Sequence, residues 1–249
     1  MSQHDYNKLV PGVKRLDNYS VNCGKSSKLI GRCYTSGTLI VPSVSTIAYD
    51  HYPPIPDEYK WTGAWGDCFH DAALALSEAR EFDVVINAKV PFQDPVDKMK
   101  SCIDKWLEFE QKHEFITEFA EQMVFSEKYL VGGTFDRVIW FQGKKYIMDF
   151  KTGSPNLLHS VTNEAYRRIY SEMTGETIGN MLIYVPRTDK PISMNITENL
   201  DYVFNRFLNL QTLWRWQHQK EMKALGWSVE QMYHEHPLRE GEKWSKMKG

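Results

Sequence analysis

The sequence predicts an α/β fold, in which a mixed central sheet is flanked by helices. Three observations favour this fold. Short β-prone runs joined by tight turns occupy residues 118–151, amphipathic helical patterns lie before and after them, and a further apolar run lies at 177–185. We expect the strands of 118–151 and the strand of 177–185 to form the sheet.

The chain has the length and composition of one domain with a sizeable core, at 249 residues and 42% hydrophobic. We predict a single domain over 1–249, made of a mildly basic N-terminal arm at 1–40, a core that ends in a long helix at 41–225, and a mobile tail at 226–249. The amino terminus is polar, and no apolar run approaches the roughly 18 residues that span a bilayer. We therefore expect a soluble, intracellular protein without a membrane partner.

Helices are predicted where apolar residues recur every three or four positions. Trp65, Phe69 and Leu76 form such a stripe, and Asp94 followed by Pro95 fits the start of another helix. The predicted helices span 61–80, 94–113, 157–173 and 198–224.

Strands are predicted where short β-prone runs are separated by turn residues. The runs Val138–Phe141 and Tyr146–Met148 are joined by Gln142-Gly-Lys144 and form a predicted hairpin. The other predicted strands span 119–124, 129–131, 177–185 and, at one edge of the sheet, 192–196.

Three carboxylates and one lysine are expected to converge at one end of this ribbon. Asp136 opens one hairpin strand, Asp149 closes the other, and Glu121 on the preceding strand can reach the same end. Three anions held together repel strongly unless a cation lies among them. Hard oxygen ligands favour Mg²⁺, or Mn²⁺ in its place. Lys151 lies two residues beyond Asp149 and therefore projects to the same face of the strand.

A simpler alternative is an exposed hairpin whose charged residues only keep the sheet edge soluble. A single D-x-K would almost always have that meaning. The combination in this sequence is far less common, because a glutamate, a G-x-x-D segment and a strand that ends in Asp149-Phe-Lys-Thr-Gly153 follow one another.

These motifs resemble the PD-(D/E)XK nuclease superfamily, specifically its RecB-like exonuclease branch, which includes the mitochondrial genome maintenance exonuclease and many phage proteins. In that branch a glutamate precedes a G-x-x-D strand, matched by Gly133–Asp136, and a D-[FYW]-K-T-[GS] strand follows, matched from Asp149. Upstream, Gly66–His70 fits a G-x-x-x-H helix, and Pro42–Ile47 resembles a P-S-V-T-x-I segment. The resemblance covers about residues 40–185.

The resemblance implies metal-dependent hydrolysis of DNA phosphodiester bonds by an exonuclease. It assigns one or two Mg²⁺ ions to Glu121, Asp136 and Asp149, with His70 and the carbonyl of Phe150 as further ligands. Lys151 would position the attacking water.

The last motif of the family, Q-x-x-x-Y, implies that Tyr166 orients the bound strand. Thr162 stands where the family has glutamine, and Asn163 is an adjacent amide that could substitute. Arg167 and Arg168 are candidates for phosphate contacts, and a solvated basic turn is an equal alternative. Trp216 is a candidate for stacking on a base.

Two other functions remain open from the sequence. One is a structure-specific endonuclease with the same site, and the other is a non-catalytic DNA-binding accessory protein that keeps the nuclease fold. The expected partner is DNA, at single-stranded or double-stranded ends, and a recombination or replication protein is a further candidate. A phage-encoded chain would act in the cytoplasm of its host cell.

The basic residues of the N-terminal arm have two interpretations; they are Lys14, Arg15, Lys25, Lys28 and Arg32. A solvated arm is the simpler one, and a contact with the DNA backbone is the other.

Overall fold

The computed structural model describes residues 8–23, 27–50, 52–53, 56–57, 61–78, 81 and 96–233. Within these ranges, eight strands form a three-stranded sheet of order β1-β2-β3 and a five-stranded sheet of order β4-β5-β6-β7-β8. The strands are β1 Lys14–Asn22, β2 Ser27–Ser36, β3 Leu39–Pro42, β4 Ile116–Ser126, β5 Val131–Phe141, β6 Lys144–Lys151, β7 Gly179–Tyr184 and β8 Ser193–Ile196.

Seven helices accompany these strands in the described part of the chain. They are α1 Val44–Tyr49, α2 Trp61–Ser77, α3 Val96–His113, α4 Leu157–Thr174, α5 Leu200–Gln217, α6 Gln219–Ala224 and α7 Val229–Tyr233. The predicted mixed α/β fold is confirmed, because β6 and β7 pair in parallel whereas the other neighbours in the five-stranded sheet are antiparallel. None of the described helices is long and apolar enough to cross a membrane.

The five-stranded sheet lies between two hydrophobic clusters. One cluster joins the sheet to α1, α4, α5 and the three-stranded sheet, and the other joins it to α2 and α3. Along β6, Ile147 belongs to the first cluster, whereas Met148 and Phe150 belong to the second. Because side chains alternate along a strand, Asp149 and Lys151 lie on the face of Ile147.

The N-terminal segment has more regular structure than the predicted arm. Residues 14–22, 27–36 and 39–42 form the three-stranded antiparallel sheet, and β2 carries the fully buried Tyr34. Further along the chain, the indole N–H of Trp227 donates to the Ile40 carbonyl at 2.7 Å. This bond ties the region after α6 to β3, and residues 234–249 of the predicted tail lie outside the described residues.

The predicted long helix at 198–224 is two helices, α5 and α6, which meet at His218. His218 has φ −107° and ψ 29°, outside the helical region. Its Nε2 lies 3.0 Å from the Asp50 carboxylate, and its ring stacks on Trp214. This contact with the end of α1 accompanies the break, and no local sequence pattern encodes it. The predicted cap Asp94-Pro95 lies outside the described residues.

Candidate metal centre

Strand register brings the three predicted carboxylates side by side. Ala120 pairs with Arg137 and Gln122 with Phe135, so Glu121 lies beside Asp136. Continuing the β5–β6 register by one residue from Arg137 and Met148 places Asp149 on the other side of Asp136. Three neighbouring strands therefore present one carboxylate each at the same level of the sheet.

Asp136 is the most highly connected member of this group. Its Oδ2 accepts the backbone N–H of Phe150 at 2.7 Å, and its Oδ1 lies 3.2 Å from Nδ1 of His70 on α2. Phe150 therefore contributes its N–H to the site, and its predicted role as a ligand through the carbonyl stays a prediction. On the next strand, Lys151 makes a close ion pair with Asp149.

One ligand atom each from His70, Glu121 and Asp136 lie within 4.8 Å of one another. These residues line a cavity of about 410 Å³, together with Asp149, Lys151 and Tyr166. Asp149 is outside the compact group of three, and its carboxylate pairs with the ammonium of Lys151. The six side chains that the sequence predicts for the metal site and its catalysis thus line one cavity.

Glu121 reaches the cavity through an unusual backbone conformation. Its φ is 48°, in the left-handed region that non-glycine residues rarely occupy. Such a conformation costs about 1–3 kcal/mol and persists only where the surroundings hold it. Here the next residue is anchored, because the Gln122 side chain donates to the Ala120 carbonyl at 3.1 Å and accepts the backbone N–H of Lys8 at 3.1 Å.

The glycine pair at the start of β5 allows two tyrosine rings to approach the backbone. A Cβ on Gly133 would lie 2.2 Å from Cε1 of Tyr166, and a Cβ on Gly132 would lie 2.7 Å from Cβ of Tyr34. Any side chain at either position would collide with a ring. The glycine of the G-x-x-D segment is therefore needed to seat Tyr166 beside the carboxylates.

Burial and mutual repulsion shift the pKa values of the compact group. Burial raises the pKa of Glu121 to about 8, and the charge of Asp136 acts in the same direction. Burial opposes the charged form of Asp136 too, but His70 and Lys151 outweigh it and lower the pKa of that carboxyl. Burial disfavours the imidazolium of His70, yet the Asp136 carboxylate raises its pKa to about 9. The two ligands that flank Asp136 therefore hold protons near neutrality.

Asp149 and Lys151 form a second electrostatic pair in the same cavity. Burial raises the pKa of Asp149 to about 6, in spite of the neighbouring ammonium. Burial alone would lower the pKa of Lys151, but the charges of Asp149 and Asp136 raise it above its ordinary value. Lys151 therefore carries its proton and acts as a cation here.

Helix α4 contributes Tyr166 but not the amide expected four residues before it. Tyr166 is 7% exposed, and burial raises the pKa of its hydroxyl well above the ordinary value. Asn163 is fully buried and donates to the Asn180 side chain and the Met181 carbonyl, each at 2.9 Å. The prediction that Asn163 replaces the family's glutamine is wrong, since its amide joins α4 to β7. The Thr162 hydroxyl donates back to Leu158 in its own helix at 3.0 Å.

The two arginines of α4 are occupied by carboxylates. Arg167 donates two hydrogen bonds of 2.7 Å to the buried Glu164. Arg168 donates to the same carboxylate at 3.1 Å and pairs with Asp201. Their guanidinium groups fasten α4 internally and to α5. Arg167 is buried inside the helix, so the predicted alternative of a solvated basic turn is wrong for it.

The structure adds two basic residues to the cavity. Arg15 on β1 and Arg32 on β2 line it, and both donate to Asp17 Oδ1, at 2.9 and 3.2 Å. The sequence shows that both residues are basic, but only the pairing of β1 with β2 brings them together at the cavity. Asp67 and Asp71 on α2 also line the cavity.

The donor set fits a divalent cation. Burial disfavours the charged forms of these carboxylates, which are grouped with an imidazole. An ion that binds between them supplies a counter-charge. Oxygen-rich coordination suits Mg²⁺, and an added imidazole nitrogen is compatible with Mn²⁺. His70, Glu121 and Asp136 would hold the ion, and Asp149 is a further carboxylate that lines the same cavity.

No family model matches the chain, and no curated protein matches it. Two solved structures are similar in part. A protein from Eubacterium rectale that is provisionally described as an exonuclease aligns with a TM-score of 0.45 and 11% identity, over 69% of this chain and 71% of that one. The protein SSO0001 aligns with a TM-score of 0.28 and 13% identity, over 71% of this chain and 89% of that one. Likenesses this distant carry no functional assignment.

Proposed function

We propose that this chain is a metal-dependent deoxyribonuclease of the PD-(D/E)XK type, in the RecB-like branch, and that it acts as an exonuclease. One observation carries the proposal. Ligand atoms of His70, Glu121 and Asp136 lie within 4.8 Å of one another in a cavity that also contains the Asp149–Lys151 ion pair. A cation held by these carboxylates and the fixed ammonium of Lys151 would together neutralise negative charge on several oxygens of a phosphodiester.

Each member of the site has a distinct part in this proposal. His70, Glu121, Asp136 and Asp149 hold Mg²⁺ or Mn²⁺. When bound, the ion polarises the phosphate and lowers the pKa of a coordinated water. Lys151, fixed by Asp149, orients the water and stabilises negative charge on the phosphate.

The cavity lining offers two guanidinium groups to a DNA strand. Arg15 and Arg32 contact the cavity from the three-stranded sheet, and the Tyr166 ring lies against Gly133 within it. Guanidinium groups bind phosphate oxygens strongly, and among the described residues both pair with Asp17, which is itself half exposed. A phosphate can therefore compete for them at little cost in buried contacts.

The proposal is tested with end-labelled single-stranded and double-stranded DNA oligonucleotides, incubated with and without Mg²⁺. We expect stepwise release of nucleotides that requires the metal and is lost in Lys151→Ala. Lys112→Ala is the matched control, because Lys112 is exposed on α3. Normal cleavage by Lys151→Ala would refute the role of that lysine.

A closed circular plasmid separates the exonuclease from its alternatives. An exonuclease spares the closed circle and degrades the linear form, whereas a structure-specific endonuclease also cuts closed circles that contain its target. Binding of DNA that is unchanged by Mg²⁺, without any cleavage, would instead indicate the non-catalytic accessory protein.

A further inference from the structure

A second cavity, of about 290 Å³, opens where the parallel strands β6 and β7 end. It is lined by residues 152–155, which follow β6, and by residues of 184–193, which connect β7 to β8. We call it the β7 groove. Lys151 lines the metal-site cavity, its partner across the parallel ladder is Tyr184, and Tyr184 lines the β7 groove. The two cavities are thus neighbours at the carboxyl edge of the sheet, where ligands commonly bind in open α/β sheets.

The β7 groove has the lining of an anion site. Among the described residues that line it, the charged side chains are Arg187 and Lys190, and there is no carboxylate. Hydroxyl groups are supplied by Thr152, Ser154 and other lining residues. The metal-site cavity, by contrast, is rich in carboxylates. A ligand with several acceptor oxygens would find donors on both sides of the groove.

Arg187 is held in place but keeps donor capacity. Its guanidinium lies over the indole of Trp61, 4.7 Å from the ring centroid. Its Nη1 is buried and has no hydrogen-bond acceptor among the described residues. A buried donor without an acceptor costs about 1–3 kcal/mol, and a turn of the guanidinium towards an oxyanion bound in the groove would remove that cost.

The loop that carries Arg187 is fastened on both sides. Lys105 on α3 donates to the carbonyls of Pro186 and Thr188, at 3.2 and 2.6 Å. At the start of the loop, the backbone N–H of Val185 donates to the Lys151 carbonyl at 2.8 Å. The groove is therefore formed before any ligand arrives, and its position relative to Lys151 is fixed by a direct backbone bond.

We propose that the β7 groove binds the DNA phosphate next to the scissile one, with Arg187 and Lys190 as its cationic ligands. The inference rests on the proposed function, because it assumes that the scissile phosphate lies beside Lys151. A cavity of about 290 Å³ is at the lower end of the roughly 300–1,000 Å³ typical of ligand pockets. It suits one phosphate with its sugar rather than a duplex, so the groove would follow a single strand as it passes the site.

The test compares Arg187→Ala with Arg206→Ala on two substrates in Mg²⁺. Arg206 is a matched control, because its guanidinium stacks on Tyr202 at 4.6 Å on helix α5, outside both cavities. The substrates are a ten-nucleotide DNA strand and bis-p-nitrophenyl phosphate, a diester without a neighbouring phosphate. For Arg187→Ala we expect a rise in KM of about tenfold on the DNA strand and a much smaller change in KM on the small diester. The salt dependence of DNA binding should be lower by about one phosphate contact.

The result that overturns the inference is a KM and a salt dependence for Arg187→Ala equal to those of Arg206→Ala, while the wild type cleaves DNA. An equal loss on both substrates would also overturn it, since a neighbouring phosphate would then be irrelevant. If Arg187→Ala does not fold, Lys190→Ala on the exposed part of the loop serves for the same comparison.

Failure of the proposed function has a different signature. A wild-type protein that neither binds nor cleaves the DNA strand removes both proposals. A wild type that binds a fluorescent strand without cleaving it contradicts the enzyme, and the anisotropy titration of Arg187→Ala against Arg206→Ala then decides the groove. Weaker binding by Arg187→Ala supports the groove, and equal binding overturns it.

Discussion

Replacement of Gly133 by alanine should destabilise the protein through one identifiable collision. The new Cβ would lie 2.2 Å from Cε1 and 2.8 Å from Cδ1 of Tyr166. Carbon atoms pack best at about 3.5–4.0 Å, so the ring or β5 must move by more than about 1 Å. Tyr166 is 7% exposed and has little room to move.

The expected cost is about 1–3 kcal/mol, the usual range for overpacking. For a chain of this length, each kcal/mol lowers Tm by about 2–4 °C. Urea and thermal unfolding measure the effect. Gly63→Ala is the control, because a Cβ there meets nothing within 4 Å and the residue lies inside α2. That variant should be stabilised by about 0.5–1 kcal/mol, since alanine favours a helix over glycine.

A double-mutant cycle with Tyr166→Ala isolates the collision. In the Tyr166→Ala background the ring is gone, so Gly133→Ala should lose most of its cost, with a coupling free energy of about 1–3 kcal/mol. The same loss of stability in both backgrounds would show that Gly133 is required for another reason. No loss in either background would refute the close approach of the ring to β5.

Three further predictions follow from buried charges and exposed rings. The pKa values of Glu121, about 8, and His70, about 9, leave both groups protonated at pH 7. Mn²⁺ binding should therefore release nearly two protons, and the affinity of the protein for Mn²⁺ should rise with pH until about pH 9. Calorimetry in buffers of different ionisation enthalpy counts these protons, and a count near zero would contradict the ligand set. Arg167→Met should cost about 3–5 kcal/mol in urea unfolding, because the fully buried Glu164 loses its bidentate partner; a cost below about 1 kcal/mol would count against that pair. Trp216→Ala should change stability by less than about 0.5 kcal/mol, since the ring is 69% exposed, yet weaken binding of a single strand in an anisotropy titration if the ring stacks on a base.

The sheet that carries the site could be predicted because its determinants are local. The hairpin of β5 and β6 has a Gly-containing turn between apolar runs, and the alternation along β6 puts Asp149 and Lys151 on one face. Once the hairpin register is set, Asp136 must lie next to Asp149. A short stretch of sequence therefore contained most of the information for the carboxylate cluster.

The remaining features depend on contacts between segments that are distant in the sequence. Arg15 and Arg32 reach the cavity because Tyr34 of β2 lies against Gly132, and its hydroxyl bonds the Thr134 side chain at 2.9 Å. Neither contact is indicated by a local sequence pattern. The error at Asn163 has a similar origin. Neighbouring positions on a helix point about 100° apart, and the packing of α4 on β7 directs Asn163 towards that strand.

The motif predicts the position of Gly133 but not the close approach of the Tyr166 ring to it. The G-x-x-D spacing marks where the glycine lies, but the need for glycine becomes clear only when the ring of another element is seen against it. The same holds for Glu121, whose φ of 48° departs from an ordinary strand. Sequence patterns predicted that strand as regular, and the left-handed residue beside Asp136 is seen only in the structure.

Calorimetric titration of Mn²⁺ into the wild type and into Asp136→Asn tests the metal site most directly. Asp136 bonds both His70 and the Phe150 backbone, and the asparagine keeps its size while removing its charge. Asp97→Asn, on the exposed face of α3, is the control. We expect saturable binding to the wild type and to the control, and none to Asp136→Asn at the same concentrations. Equal binding to all three proteins would contradict the claim that these carboxylates hold a divalent ion.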